Sequence, residues 1–207
     1  MKSLFINTST RNTVVSIIVN NEIKYLYKND TIKDLVIDLM QIIDAAFQNA
    51  KMKPNDIDAI FVTNGPGSFT GIRIGLAVVK TMAWSLKIKV IPISSLEFLA
   101  STQTNKEYTV SLIDARKGYV FAGVYDNKLN LIFGDSYMLL DDLKQKLGGK
   151  EVSYVSNDKF DFKVNEPNYD ILKIINKHKN DFGINPHKLN PNYLKNTEAE
   201  EKFNEGR

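Results

Sequence analysis

Apolar and polar positions follow strand and helix periodicities in turn along the first half of the chain. Three short runs of strand type open the chain, and a fourth precedes a glycine-rich turn. Two longer segments have apolar residues at helical spacing. The strand runs are residues 3–8, 14–19, 22–27 and 57–63, and the helices are residues 31–50 and 71–86. Asn20 and Asn21 form the turn between the second and third strands. The predicted order of elements is therefore βββαβα.

The second half repeats this order of elements without repeating the residues. Its predicted strands are residues 108–114, 118–125, 129–133 and 151–156, and its predicted helices are residues 139–147 and 169–179. Two such units facing each other across a cleft predict an α/β protein with the actin-like ATPase (ASKHA) fold. The polar segment 100–106 has no periodicity, so we place the domain boundary there, giving domains 1–103 and 104–207.

The glycine-rich turn reads NGPGSFTGIRIG over residues 64–75 and joins a strand to a helix. It lacks the lysine of a P-loop and misses the dinucleotide fingerprint by one residue, so structural packing is favoured over nucleotide binding. In that interpretation Gly71 and Gly75 thin one helix face for close approach of another backbone. An anion nest of backbone amides stays open as the alternative. The turn residues concerned are Gly65, Pro66, Gly67, Ser68, Phe69 and Thr70.

Catalytic side chains are scarce in this sequence. The chain has no cysteine, and its two histidines, His178 and His187, are predicted to be solvated surface residues that form no metal-binding H-x-x-x-H pair. Actin-like ATPases place an acidic residue after the first strand of each domain, but here Asn7 stands at the first such position. Asp114 keeps an acid in the second half, with Arg116 beside it, and we expect all three residues in the cleft. The alternative function is an actin-like ATPase or kinase that works through Asp114.

Composition indicates which kinds of binding partner are disfavoured for this chain. The formal net charge of +3 is small, so direct and strong tRNA binding is disfavoured. There is no apolar stretch of 18 residues and no signal-peptide pattern, which favours a soluble cytoplasmic protein without membrane contact. With 43% hydrophobic residues, the chain can bury a substantial core.

Several motifs in the same order resemble one family. They are the turn at 64–76, Lys80, residues 93–96, residues 114–118 and residues 191–195. Together they are similar to the bacterial tRNA threonylcarbamoyladenosine biosynthesis protein TsaB family, also called YeaZ and labelled glycoprotease-like. Asn7 and Lys195 depart from the family pattern, where Asp and Arg are usual, and these departures weaken any claim of nucleotide chemistry here.

The resemblance implies a non-catalytic subunit that binds and activates TsaD as a heterodimer and supports binding of TsaE. It implies no required cofactor and no metal, and it allows ATP or ADP at the interface of the complex. Contact with tRNA would then occur only through the complex, and the chain alone would be a monomer or a homodimer. The stretch 94–99, where TsaD has its metal-binding histidines, contains none.

The first two helices supply a predicted docking surface. On the helix at 33–50, one apolar stripe contains Leu35 and Leu39, and a second contains Val36 and Met40, so the apolar arc spans roughly 160°. The sequence leaves open whether both stripes are buried in the monomer, but the family resemblance favours a partner. The predicted partner-binding residues are Leu35, Leu39, Ile42, Ala46, Gly71, Arg73, Gly75, Val78 and Met82.

Overall fold

The computed structural model describes residues 1–29 and 35–195. The predicted first-helix start at Thr31 and the side chain of Val36 lie outside the described part. The strands are β1 (Lys2–Asn7), β2 (Thr13–Val19), β3 (Glu22–Asn29), β4 (Ala59–Thr63), β5 (Lys89–Ile93), β6 (Tyr108–Asp114), β7 (Tyr119–Asp126), β8 (Leu131–Leu139) and β9 (Val152–Val155). The helices are α1 (Leu35–Asn49), α2 (Phe69–Leu86), α3 (Ser95–Ala100), α4 (Leu140–Leu147) and α5 (Ile171–His178).

The first sheet has the strand order β3-β2-β1-β4-β5. Strand β1 lies in its centre, antiparallel to β2 and parallel to β4. Side chains alternate between two cores: Ile6 and Val62 belong to the core with α1 and α2, whereas Phe5 and Phe61 belong to the core with α3 and α5. Because helices cover both faces, β1 and β4 have nearly continuous apolar sequences rather than alternating ones.

The second sheet has the strand order β8-β7-β6-β9, and α4 packs on one of its faces. Helix α5 packs in the second core beside residues of both halves, including Phe98, Tyr125 and Val155. The two-sheet α/β architecture that the element order predicts is confirmed. The domain boundary at 103/104 stays a prediction, since this core contains residues from both sides of it.

Strand β5 and helix α3 were not among the predicted elements. The sequence of β5, Lys89–Ile93, contains Pro92, which weakens a strand pattern. The strand exists because it lies at the edge of the first sheet, where a missing N–H breaks no ladder on the open side. Among the described residues, no helix combines the length and the apolarity that crossing a membrane requires.

Candidate functional site

The glycine-rich turn packs against the hairpin loop between β1 and β2. The Ser68 amide donates a hydrogen bond of 2.7 Å to the Ser9 carbonyl oxygen, and the Ser68 hydroxyl caps α2 by accepting from the Gly71 amide. A Cβ at Gly67 would lie 2.0 Å from the Ser9 oxygen. The hairpin loop therefore occupies the concave side of the turn, where an anion nest was the open alternative.

Two further glycines bring α2 against Thr8. A Cβ at Gly71 would lie 2.0 Å from the Thr8 carbonyl oxygen, and a Cβ at Gly75 would lie 2.2 Å from Thr8 Oγ1. The Thr8 hydroxyl donates to the Gly71 carbonyl at 2.8 Å. The sequence predicted that another backbone segment approaches this helix face closely. That segment is present, and it is the β1–β2 loop of this same chain. The assignment of Gly71 and Gly75 to a partner surface is corrected, since both are buried against Thr8.

Asn7 is buried beneath the hairpin loop rather than exposed in the cleft. Its Nδ2 donates to Thr10 Oγ1 at 2.9 Å and to the Asn12 carbonyl at 2.6 Å. Its Oδ1 accepts from the hydroxyls of Ser9 and Thr63, both at 2.7 Å. The cleft assignment of Asn7 is therefore wrong, because its amide satisfies both donors and acceptors inside the fold. A carboxylate has no donors for the Asn12 carbonyl, which explains why asparagine fits this position.

The cleft between the two halves has a volume of about 460 Å³. Thr8 to Arg11 and the turn residues Gly67 and Ser68 line one side, and Asp114, Phe121 and Asp158 line the other. Asp114 is therefore in the cleft as expected. Arg116 is exposed in the β6–β7 loop with a φ of +66° and is not among the residues that line the cleft.

The cleft holds few groups for phosphoryl or metal chemistry. Asp114 Oδ1 accepts from the Arg116 amide, and Asp158 Oδ2 accepts from the Asp114 amide, both at 2.8 Å. Within residues 1–29 and 35–195, no three His, Cys, Asp or Glu side chains are grouped so as to hold a metal ion. The amides of Ser68, Gly71 and Ile72 already donate within the chain. The cleft can therefore accept polar ligands, but its carboxylates are separately engaged.

The segment at 191–195 packs on the same turn, so two motifs that are far apart in the sequence meet in space. The Asn192 amide donates to the Asn64 carbonyl at 2.7 Å. Tyr193 stacks on Phe69 with ring centroids 5.4 Å apart and accepts a hydrogen bond from Arg73 Nε at 2.9 Å. The Arg73 guanidinium also lies 3.8 Å from the Phe69 ring centroid. Arg73 is thus exposed but already held within the chain, and four of its five N–H donors lie outside this bond.

The two predicted stripes of α1 are both largely internal. Leu39, Ile42 and Ala46 are buried in the first core, and so are residues of the second stripe, Ile43 and Phe47. Their predicted place on a partner surface is corrected, because α1 packs on β2, β3 and α2 together and so buries a wide arc. Three further predicted contact residues lie partly buried against that core: Leu35, Val78 and Met82.

The exposed apolar residues of these helices lie elsewhere. On α1, Ile37 is 58% exposed and Met40 is 50% exposed. On α2, Phe69 and Trp84 are exposed. None of these four residues is in the predicted partner-binding set, although Met40 belongs to the second predicted stripe of α1 and Phe69 to the glycine-rich turn. The available signal was a helix face on which apolar residues are separated by polar ones such as Gln41 and Asp44.

Helices α3 and α5 are joined by a polar seam cluster, which we define as Glu97, Lys177, His178 and Asp181. Glu97 Oε1 accepts from Lys177 Nζ at 2.5 Å and pairs with His178 Nε2 at 2.8 Å. His178 Nδ1 lies 2.7 Å from Asp181. The expectation that His178 is a solvated surface residue is wrong, since its side chain is only 16% exposed.

The pKa values of the seam cluster follow from its pairing. Burial acts to raise the pKa of Glu97, but the hydrogen bonds and charges of His178 and Lys177 outweigh it and lower the pKa. Burial acts to lower the pKa of His178, and Glu97 and Asp181 outweigh it and raise the pKa. Protonated His178 and ionised Glu97 therefore stabilise each other in the fold.

A second carboxyl, Asp135 of β8, faces this region. It accepts hydrogen bonds from the hydroxyls of Ser94 and Tyr125. Burial raises the pKa of Asp135 despite these bonds. Burial, together with the adjacent Asp135, also raises the pKa of Tyr125 far above its ordinary value. These groups connect the N-terminus of α3 to the second sheet.

Comparisons with known proteins agree with the resemblance drawn from the motifs. The family model described as TsaD, tRNA N6-adenosine threonylcarbamoyltransferase, matches residues 29–190. A Bacillus subtilis (strain 168) protein described as tRNA threonylcarbamoyladenosine biosynthesis protein TsaB is 35% identical over 138 residues, covering 65% of this chain and 58% of the relative. A Haemophilus influenzae protein with the same description is 30% identical over 126 residues, covering 58% of this chain and 53% of the relative. The matches thus span little more than half the length of these relatives.

A solved structure shows the same fold. The protein is described as uncharacterised, with similarity to peptidase YEAZ, from Pseudomonas aeruginosa. It superposes with a TM-score of 0.80 at 20% identity and covers 94% of this chain and 99% of that one. The similarity to the TsaB, or YeaZ, family inferred from the turn and its companion motifs is confirmed.

Proposed function

This chain belongs to the TsaD, tRNA N6-adenosine threonylcarbamoyltransferase, family, and we propose that it is a non-catalytic subunit in the synthesis of threonylcarbamoyladenosine in tRNA. In this role it binds and activates a separate TsaD subunit and supports binding of TsaE. The descriptions of its TsaB relatives as tRNA threonylcarbamoyladenosine biosynthesis proteins support the proposed involvement in this synthesis.

The observation that carries the proposal is the exposure of large apolar side chains on α1 and α2, two helices that pack against each other. We define this helix-pair face by Ile37, Met40, Phe69 and Trp84, which are 40% exposed or more. Burying such side chains in an interface removes apolar surface from water and stabilises a complex. Arg73, held beside Phe69, adds cationic donors at the edge of the same helix. We place the TsaD contact on this face, and homodimerisation of the isolated chain would use it too.

The packing of the glycine-rich turn supports the non-catalytic role. Thr8 and Ser9 occupy the space that phosphate oxygens need near the start of α2, and Asn7 is committed to holding that loop. The proposal therefore requires no cofactor in this chain and assigns ATP or ADP to the interface of the complex. It also assigns tRNA contact to the complex and, given the lack of cysteine, a cytoplasmic location.

The interface is tested by co-expressing the chain with a TsaD subunit and measuring complex formation by size-exclusion chromatography and calorimetry. Met40→Asp should weaken binding by about tenfold or more, because it introduces a charge into an apolar contact. Leu131→Asp is the matched control, since Leu131 is 55% exposed on β8, outside the helix-pair face. Equal binding by the wild type and both folded variants would show that TsaD docks elsewhere.

The catalytic alternative has its own test. Asp114 and Asp158 lie in the cleft, so the isolated chain is assayed for magnesium-dependent ATP turnover. The proposal expects none from the chain alone. Turnover that disappears in Asp114→Ala would contradict the non-catalytic role, whereas an intact TsaD complex without turnover would agree with it.

A further inference from the structure

A second cavity, which shares the lining residue Arg11 with the cleft, lies where the two halves meet and has a volume of about 300 Å³. We define this seam cavity by the residues that line it. From the first half these are Arg11, Asn12 and Lys28, and from the second half they are Asn157, Lys159, Glu166 and Pro167. Most of the lining is polar, and neither half forms the cavity alone.

Among the described residues, cationic side chains outnumber carboxylates in the seam cavity. Of the described residues that line it, Arg11, Lys28 and Lys159 are cationic and Glu166 is the single carboxylate. The ion pairs found within the described residues involve other cations, so these three have no carboxylate within ion-pair distance there. Like charges that converge on a small concave space repel each other, and a bound anion relieves that repulsion.

The polar wall of the cavity is already ordered by hydrogen bonds across the two halves. Asn157 Nδ2 donates to Asn12 Oδ1 at 2.5 Å, and the Tyr169 hydroxyl lies 3.0 Å and 2.9 Å from Asn12 Oδ1 and Asn157 Oδ1. Lys28 Nζ donates to the Pro167 carbonyl at 3.1 Å and lies 5.0 Å from the Tyr169 ring centroid. One of its three N–H groups is therefore used to fix its position beside the cavity.

From this arrangement we propose that the seam cavity binds a small anion that carries phosphate groups. The one guanidinium and two ammonium groups that line the cavity offer several charge-assisted donors, which suits the many acceptor oxygens of phosphate. The volume lies at the lower end of the range of ligand sites, which suits a diphosphate or a compact nucleotide. A bound anion would join Arg11 and Lys28 of the first half to Lys159 of the second and so hold the halves together.

The site is tested by calorimetric titration of the whole chain with inorganic pyrophosphate and, separately, with ATP at low ionic strength. We expect a dissociation constant of about 1 mM or lower for at least one of them. Lys159→Gln should weaken it by about tenfold, since it removes one charge-assisted contact. Lys159 is the deciding position because Arg11 also lines the cleft, whereas Lys159 does not. Arg11→Gln combined with Lys159→Gln should weaken binding further.

The control is Lys128→Gln, which removes the same charge from the β7–β8 turn, outside the cavity. It should leave binding unchanged. Binding of pyrophosphate and ATP alike identifies the phosphate group as the recognised chemistry, and binding of ATP alone, still lost in Lys159→Gln, identifies a nucleotide. The proposal is overturned if neither anion binds at millimolar concentration, or if Lys128→Gln weakens binding as much as Lys159→Gln. Neither result depends on whether TsaD binds the helix-pair face.

Discussion

The two halves of the molecule build equivalent hairpin loops, and the two loops differ completely in their surroundings. Most of the β1–β2 loop is buried, although Arg11 is exposed: Asn7 lies beneath the loop, and Gly67 of the turn and Gly71 and Gly75 of α2 pack against it. The β6–β7 loop is exposed, Arg116 and Lys117 have positive φ, and a Cβ at Gly118 would have no atom within 4 Å. The same element order therefore yields one loop fixed by packing and one facing solvent.

This difference indicates that packing constrains the first loop more strongly than the second. In the first half, the loop and the glycine-rich turn pack closely and hydrogen-bond to each other, so the turn's glycines are needed for stability. In the second half, the acid Asp114 is retained at a cleft that has room for ligands. Comparing matched changes in the two loops tests whether packing or ligand binding accounts for the glycine-rich turn.

The largest effect is expected from Gly71→Ala in the first half, and Gly118→Ala in the second half is its counterpart. Gly71→Ala should reduce the free energy of unfolding by about 3 kcal/mol, because its Cβ would lie 2.0 Å from the Thr8 carbonyl oxygen. Helix propensity alone would predict that Gly71→Ala raises the free energy of unfolding by about 1 kcal/mol. The sign of the measured change therefore decides between the two explanations. Gly118→Ala should cost only about 1 kcal/mol, from its φ of +78° in open space. Urea unfolding measures both, and a stabilised Gly71→Ala protein would contradict the packing.

A smaller effect is expected from exchanging the acid and the amide. Asn7→Asp should reduce stability by about 2 kcal/mol, because the new side chain cannot donate to the Asn12 carbonyl or to Thr10 Oγ1. Asp114→Asn should change stability by less than about 0.5 kcal/mol, since Asp114 is exposed and an amide oxygen can still accept from the Arg116 amide. Equal losses in thermal unfolding would show that the two loops are not different in kind.

The smallest effect is expected from pH, because it acts on the seam cluster and on neither hairpin loop. The folded pKa of His178 is raised above its ordinary value, so its stabilising contribution is complete below about pH 6.5 and is lost as pH rises through the folded pKa. Lys177, Glu97 and Asp181 are the charged groups that contact or flank it. His178→Gln should flatten the pH dependence of urea unfolding above about pH 6.5, where the wild-type protein loses this contribution.

The matched control for this measurement is His187→Gln, since His187 is exposed and outside the seam cluster. That variant should keep the wild-type decline in stability with rising pH. An identical decline in His178→Gln would mean that the pH dependence arises elsewhere.

Most elements were predictable from periodicity, while several site residues were not. The strands around Phe5 and Phe61 and the helix stop at Gly148 follow from local patterns, and they appear in the structure. The partners of Gly71 and of His178 did not follow, because Thr8 is 63 residues away and Glu97 is 81 residues away. Hydrophobic periodicity reports which face is apolar, and it does not report which neighbour covers that face.

The sequence by itself determined the α/β class, the repeated element order and the family to which the motifs belong. These features depend on side-chain period, turn residues and motif spacing, which act within a few residues of one another. Only the tertiary structure decided that Gly71 and Gly75 pack against Thr8, that Asn7 is buried and that Met40 rather than Leu39 faces solvent. Those outcomes depend on contacts between residues far apart in the chain, which are set by the packing of β1, α1 and α2 together.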